Sequence, residues 1–284
     1  MTELRRIAYY FRRKHFAMFG LILVLALVTV AVLAPHIAPN NPHAVSRDRF
    51  LSPGADARYP LGTDNLGRCV LSGVIYGTRV SLFVGLAAAA TSTFIGILIG
   101  SISGYFGGKT DAFLMRFTEL FMTIPRFVLA LIVVAFFGSG LDRLILVIGV
   151  LSWPGAARLV RSEFLSHRNL PYVDSGRVSG MSHLRLIFVE ILPNIIPPVI
   201  VVATLDVATA ILLEASLGFF GLGDPNLRSW GGMLSRAQSH IRTAWWMSVF
   251  PGSAIAVTVL GFNLVGDGLN EAANPRMQIE GGST

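Results

Sequence analysis

Six long apolar stretches, at about residues 17–38, 80–106, 113–137, 142–161, 191–215 and 246–269, alternate along the chain with polar, basic or proline-bearing segments. A helix needs about 20 mainly apolar residues to cross roughly 30 Å of hydrocarbon, so each stretch is long enough to span a bilayer. The strands of a membrane barrel would be about half as long and alternating. The pattern predicts an all-α, polytopic membrane protein with six transmembrane helices. Between the first two stretches, Val70, Leu71, Val74 and Ile75 share one helical face, which predicts a short amphipathic helix lying near the outer surface and leading into the second span, either an interfacial helix with Tyr76 and Arg79 as anchors or part of a gate.

Small residues and prolines punctuate these stretches. Gly96, Gly100 and Gly104 recur every fourth residue, the spacing that lets helix backbones approach closely. Pro125 beside Arg126, Pro154 with Gly155, and Pro193, Pro197 and Pro198 each interrupt backbone bonding and predict kinks. Such breaks are tolerated where neighbouring helices or a water-filled cavity satisfy the freed carbonyls. The bundle is built to flex or to surround something.

Composition agrees with a membrane protein: of 284 residues, 53% are hydrophobic and 14% charged. Arg5, Arg6, Arg12, Arg13 and Lys14 precede the first apolar stretch, but no small-residue cleavage site follows it, so it reads as a retained span rather than a signal peptide. The basic cluster places the N-terminus in the cytoplasm, and an even number of spans returns the C-terminus there. The net charge of +7 is scattered along the chain instead of forming one basic face, which argues against nucleic acid. Cys69 has no companion for a disulfide or a metal, and the histidines are dispersed. The stretch Ser103-Gly104-Tyr105-Phe106-Gly107-Gly108-Lys109-Thr110 imitates a phosphate-binding loop, but Ser103 replaces its first glycine and two spans flank it where a strand and a helix are required. It reads as a tight turn with Lys109 near lipid headgroups. No cofactor site and no catalytic constellation is apparent.

The segment between the fourth and fifth stretches is too long for a simple connection. Asn169 is placed to cap a helix with Pro171 in its first turn and Asp174 near its positive end. Gly180 ends that helix in a left-handed conformation, and Ser182 opens a second one whose apolar face is Leu184, Phe188 and Ile191. Two short helices meeting at a glycine make a knob, with Arg177, His183 and Arg185 on the face offered to a soluble partner.

Here the residues resemble a known family. Tyr172-Val173-Asp174-Ser175-Gly176, Gly180 and Ile191-Leu192-Pro193-Asn194 are similar to the "EAA" loop of permease subunits in ATP-binding-cassette importers, with Asp174-Ser175-Gly176 in place of Glu-Ala-Ala. Gly176 lowers helix propensity by about 1 kcal/mol relative to Ala. Pro60-Leu61-Gly62-Thr63-Asp64 with Gly67-Arg68, Glu214-Ala215-Ser216-Leu217-Gly218-Phe219-Phe220-Gly221-Leu222-Gly223, Ser229-Trp230-Gly231, Phe262-Asn263-Leu264-Val265-Gly266-Asp267-Gly268-Leu269 and Asn274-Pro275-Arg276 resemble the second permease subunit of the dipeptide, oligopeptide and nickel type. The likeness runs from about residue 10 to 276.

The resemblance implies a type I importer permease fold: residues 1–79 as cytoplasmic tail, first span and external segment, 80–276 as a five-helix core with its coupling loop at about 163–190, and 277–284 as a tail. It implies a bacterial inner-membrane protein surrounded by lipid and working with a homologous second permease, two cytoplasmic ATPase subunits that hold ATP and magnesium, and an extracytoplasmic substrate-binding protein. Tyr172, Asp174, Gly176, Arg177, Gly180 and Arg185 would couple to the ATPase. Asp224 and Trp230, in an external loop with a sharp turn at Gly221-Leu222-Gly223-Asp224-Pro225, would meet the binding protein; interfacial anchoring is the other reading for Trp230, Trp245 and Trp246. Asp206, an acid near the middle of the fifth stretch, is costly unless it faces a cavity or a partner. It either lines the path and meets an amino-bearing substrate or makes a structural hydrogen bond. Glu214, expected near the outer end within reach of water or the following loop, either shapes a gate or bonds locally. The cargo on this reading is a di- or oligopeptide, with metal chelates and oligosaccharides as alternatives. An ion-coupled secondary transporter is the rival class, and it needs midplane ion-coupling residues and usually inverted repeats.

Overall fold

The computed structural model describes residues 9–273; Arg5, Arg6, the Asn274-Pro275-Arg276 motif and the tail at 277–284 lie outside them. The long helices are α1 (His15–Ile37), α2 (Val70–Phe106), α3 (Gly108–Thr123), α4 (Arg126–Phe137) and α5 (Leu141–His167). After them come the short α6 (Pro171–Val178) and α7 (His183–Arg185), a π-helical turn at Leu186–Ile191, α8 (Leu192–Phe219), α9 (Trp230–Ala237) and α10 (Trp246–Ala273). Five continuous helical units are long and apolar enough to cross a bilayer, and the α3–α4 pair makes a sixth if it counts as one broken span. The all-α polytopic expectation holds.

The third apolar stretch departs most from expectation. The bend expected at Pro125 is present but far sharper than a kink: α3 and α4 meet at 82°, a broken span or a re-entrant pair. Pro125 has no N–H to donate to the preceding turn, and Ile124 before it is held extended, at φ −94° and ψ 130°. Pro154, Pro197, Pro198 and Pro251 by contrast lie inside unbroken helices. The helix expected at residues 70–76 does lead into the second span, but it is not a separate short element: these residues are the first turns of α2, a rod of 37 residues and hence about 55 Å. They do not lie flat because their inner face is already occupied: Trp230 of α9 fills the space over Gly77, where a Cβ would stand 2.6 Å from its ring.

The core is organised by α2. Its glycine stripe lies against α5: a Cβ on Gly96 would meet Ala156 Cβ, one on Gly100 the carbonyl oxygen of Ala157, and one on Gly104 Phe164 Cβ, each at 2.5 Å. Dispersion contacts without intervening side chains hold the pair together, which matters in lipid because apolar burial supplies little drive between helices there. A second seam joins α2 to α8, with Gly85 under Ile211, and α10 closes the bundle by packing on α8 and α1. At the tight turn from α2 into α3, Arg161 of α5 binds the Asp111 carboxylate, Nη2 to Oδ2 at 2.6 Å, and Ser103 also donates to it.

Gly100→Val is expected to wedge α2 from α5 and to destabilise the protein by about 1–3 kcal/mol, the usual range for overpacking. Gly252→Ala, inside α10 where a Cβ meets nothing within 4 Å, should instead raise stability by about 0.5–1 kcal/mol. Thermal unfolding of the detergent-solubilised protein compares the two.

Candidate functional site

Three groups of residues stand out: the knob between α5 and α8, the cap at the opposite pole, and a polar cluster midway between them. The knob is built largely as its residues imply. Gly180 sits at φ +77° and stops α6, while the Met181 N–H bonds the Gly176 carbonyl at 3.0 Å. The Ser182 hydroxyl accepts the Arg185 N–H at 3.4 Å and opens α7. The expected Asn169 cap is absent; Leu170 precedes α6 and makes no side-chain cap. The expected apolar face is also corrected. Leu184 and Phe188 are exposed, and Leu186, Ile187 and Ile191 are buried against Val160, Phe164 and Val173. The π turn at Leu186–Ile191 advances the chain by i→i+5 bonds and so rotates the inward face away from the α-helical phase.

Gly176 has a role that propensity alone does not express. It is buried, and a Cβ there would stand 2.7 Å from Leu186 Cδ2 and 3.2 Å from Met181 Sδ. The glycine lets α6 lie directly on the π turn. Two polar contacts then fasten the knob to the bundle: Tyr105 Oη to His183 Nδ1 at 2.8 Å, and Tyr172 Oη to His167 Nδ1 at 3.1 Å. Tyr172 is accordingly half-buried, and burial raises its phenol above the usual tyrosine range. What remains outward is Asp174 paired with Arg177 at 2.9 Å, the exposed Arg185, Leu184, and Val178 at 90% exposure. An exposed pair of this kind contributes about 1 kcal/mol at most, so Asp174 is free to serve a partner. Val178 was missed because a lone apolar residue between Arg177 and Ser179 carries no periodic signal.

At the opposite pole Asp64 organises the cap. Its carboxylate accepts the Leu66 and Arg68 N–H groups at 2.8 and 2.9 Å and the Arg68 Nε–H at 3.0 Å, and Arg228 Nη2 approaches to 3.5 Å. Gly62 and Gly67, at φ +78° and +74°, turn the backbone around it. Arg228, 4% exposed, also donates from Nε to the Pro42 carbonyl at 2.9 Å. Burial, with Arg68 and Arg236 nearby, lowers its guanidinium to about 10. The Asp64–Arg228 contact spans residues so far apart in sequence that only the fold brings it to notice.

Two tryptophans that pattern alone assigns to the membrane interface are internal. Trp230 is fully buried and donates its indole N–H to the Val74 carbonyl at 3.0 Å; Trp246 donates to the Thr63 carbonyl at 3.1 Å. Neither anchors in lipid, and the Trp230 side chain is not available to a binding protein; Trp245 alone of the three is exposed. Asp224 is half-exposed, and its carboxylate accepts the Asn226 N–H at 2.9 Å. Glu214 is not near water but does meet the following loop: it is 1% exposed, accepts a hydrogen bond from Ser81 at 2.9 Å that ties α8 to α2, and has Ser229 of that loop as a second partner. Asp206 is half-buried and accepts from Ser92 of α2 at 3.3 Å.

A helical bundle with a knob fastened to one pole and a folded cap on the other has the build of a transport subunit. The chain belongs to the family of binding-protein-dependent transport system inner membrane components, matched over residues 96–279. Residues 2–53 match the N-terminal transmembrane domain of oligopeptide transport permease C. The chain is 39% identical to the dipeptide transport system permease protein DppC of Haemophilus influenzae, over 98% of its own length and 96% of that protein. It is 40% identical to DppC of Escherichia coli K12, over 98% and 95% of the two chains, and 40% identical to the di/tripeptide permease DppC of Pseudomonas aeruginosa, over 92% and 88%. It is therefore a multi-pass inner-membrane permease and a transport component rather than an enzyme.

Asp64→Asn is expected to leave Arg68 and Arg228 without their carboxylate and to cost about 3–5 kcal/mol, the range for breaking a buried ion pair. Thermal unfolding should show that the added substitution Arg228→Met recovers part of the loss.

Proposed function

We propose that this chain is one half of the translocation pathway of an ATP-driven importer of di- and oligopeptides. On this reading the knob pole faces the cytoplasm, with both termini on that side, and the cap faces outward. A homologous permease supplies the other half, two ATPase subunits holding ATP and magnesium bind beneath, and an external binding protein delivers the cargo. The observation that carries the reading is the knob: a rigid projection with Asp174, Arg177, Val178, Leu184 and Arg185 exposed, fastened by Tyr105–His183 and Tyr172–His167 to α2 and α5. A soluble motor that grips this surface moves those helices, because packed elements pass on displacement as rigid bodies instead of deforming. The peptide cargo is supported by the names of the relatives above.

The mechanism follows from that linkage. Closure of the ATPase dimer on ATP shifts the knob, α2 and α5 rock with it, and the pathway turns outward to receive peptide; hydrolysis returns it. Asp224, at the outer turn, meets the binding protein. Asp206, at mid-membrane, lines the path and meets the ammonium group of the cargo, while Glu214 keeps α8 and α2 together beneath the outer gate.

Asp174→Arg, Val178→Asp and Gly180→Pro are each expected to leave the complex assembled in the membrane but to reduce ATP-dependent uptake by more than about tenfold, with ATP hydrolysis no longer stimulated by loaded binding protein; the factor corresponds to roughly 1.4 kcal/mol of coupling. Uptake by reconstituted proteoliposomes decides it, and normal uptake in all three would refute the coupling role. Asp206→Asn should lower peptide uptake severalfold, and an unchanged rate would remove the charge-recognition role. Uptake driven by a proton or sodium gradient without ATP would favour the secondary transporter.

A further inference from the structure

Arg126 is a charge at membrane depth that the coupling mechanism leaves without a task. It opens α4 directly after the 82° break. Asp206 in α8, Ser92 in α2 and Gly155 in α5 fall near the middle of their helices. Arg126 Nη2 lies 4.0 Å from the place a Cβ on Gly155 would occupy, and Arg126 is the cation whose field reaches Asp206. Asp206 itself is held by Ser92 at 3.3 Å. Four helices thus bring one anion and one cation into the same region of the bundle.

The two charges do not close on each other. Among the described residues the Arg126 guanidinium forms no ion pair, hydrogen bond or cation–π contact, and both side chains are half-exposed. An isolated cation at this depth is costly unless it faces a cavity or a partner, and irregular backbone such as Ile124-Pro125 is tolerated at depth only where protein buries it or it lines a water-filled space. Gly155 opens that space on the α5 side, since any larger residue there would point a side chain toward the guanidinium. An anion and a cation held apart in one half-exposed region of the bundle match a zwitterion. A dipeptide carries its terminal charges about 6 Å apart, given the 3.8 Å step between Cα atoms. Arg is suited to the carboxylate end because its planar fork donates to both oxygens.

We propose that Asp206 and Arg126 form a two-ended site for the main-chain charges of a passing peptide, Asp206 taking the α-ammonium and Arg126 the terminal carboxylate. This rests on the peptide-importer reading and extends it from the amino end of the cargo to both ends. The pathway then selects for a free terminus at each end of the peptide, whatever its side chains, and does so independently of the binding protein.

The test uses the complete transporter in proteoliposomes with ATP and two probes, dialanine and its C-terminal amide, each presented as saturated binding protein. Wild type should carry the free acid faster than the amide. Arg126→Gln should slow dialanine by roughly tenfold or more, as for the loss of a charged hydrogen bond, and slow the amide much less, so that the ratio of the two rates collapses; Arg126→Lys should keep part of the preference. Equal slowing of both probes, or an unaltered ratio, overturns the two-ended site and leaves the importer reading standing. Wild-type complex that carries neither probe overturns the peptide reading and this inference with it. If Arg126→Gln does not assemble, Arg126→Cys supplies a second measurement, because the native Cys69 is buried. An anionic methanethiosulfonate should label the new thiol, and dialanine should slow the labelling. Absence of labelling or of protection in the assembled complex overturns the proposal.

Discussion

The glycine-lined contact of α2 with α5 is the constraint from which the rest of the structure follows. In hydrocarbon, apolar side chains gain little by meeting one another instead of lipid, so helices hold together where backbones come close enough for dense dispersion contact. Gly96, Gly100 and Gly104 give α2 that smooth side, and Ala156, Ala157 and Phe164 of α5 fill it. The two rods then behave as one body. At one pole that body carries Tyr105 and His167, to which the knob is fastened; near its middle it presents Ser92 to Asp206 and Gly155 to Arg126. The proposed coupling surface is therefore fastened to the same rigid unit that meets Asp206 of α8 and Arg126 of α4, as the proposed mechanism requires.

Charges are distributed according to what each pole must do. At the cap, Asp64, Arg68 and Arg228 are withdrawn from solvent and interlocked with backbone groups, which makes this segment a folded cap tied to α10 by the Trp246 indole, while the Trp230 indole ties α9 to α2. At the knob, Asp174 and Arg177 stay exposed and pair with each other, with the Arg177 guanidinium also 5.8 Å over the Tyr105 ring; an exposed pair contributes little to folding. In the membrane, Glu214 is closed off by Ser81, whereas Asp206 and Arg126 remain half-exposed and apart.

Much of this was legible in the chain. The apolar runs predict the crossings, the four-residue glycine spacing predicts a close helix contact, Gly180 predicts the stop of α6, and Ser182 the start of α7. Other features were not legible, for identifiable reasons. The π turn at Leu186–Ile191 changes the inward phase from Leu184 and Phe188 to Leu186 and Ile187, and no α-helical period anticipates an i→i+5 turn. Trp230 and Trp246 have the composition of interfacial anchors, yet Gly77 and the Thr63 carbonyl receive them inside. Pro125 announces a disturbance, but not that it reaches 82° while Pro154 leaves α5 unbroken.

Residue order alone thus settles that the chain is a multi-pass helical membrane protein, where its helices run, and which segment projects as a knob, because these depend on local hydropathy, proline chemistry and glycine conformation. Which helix meets the glycine stripe, which of the acids are sealed and which stay open, and that Arg126 comes near Asp206 are decided only by the packed structure. Those relations join residues far apart along the chain, and their energies depend on distance and burial, which appear only once the helices are assembled.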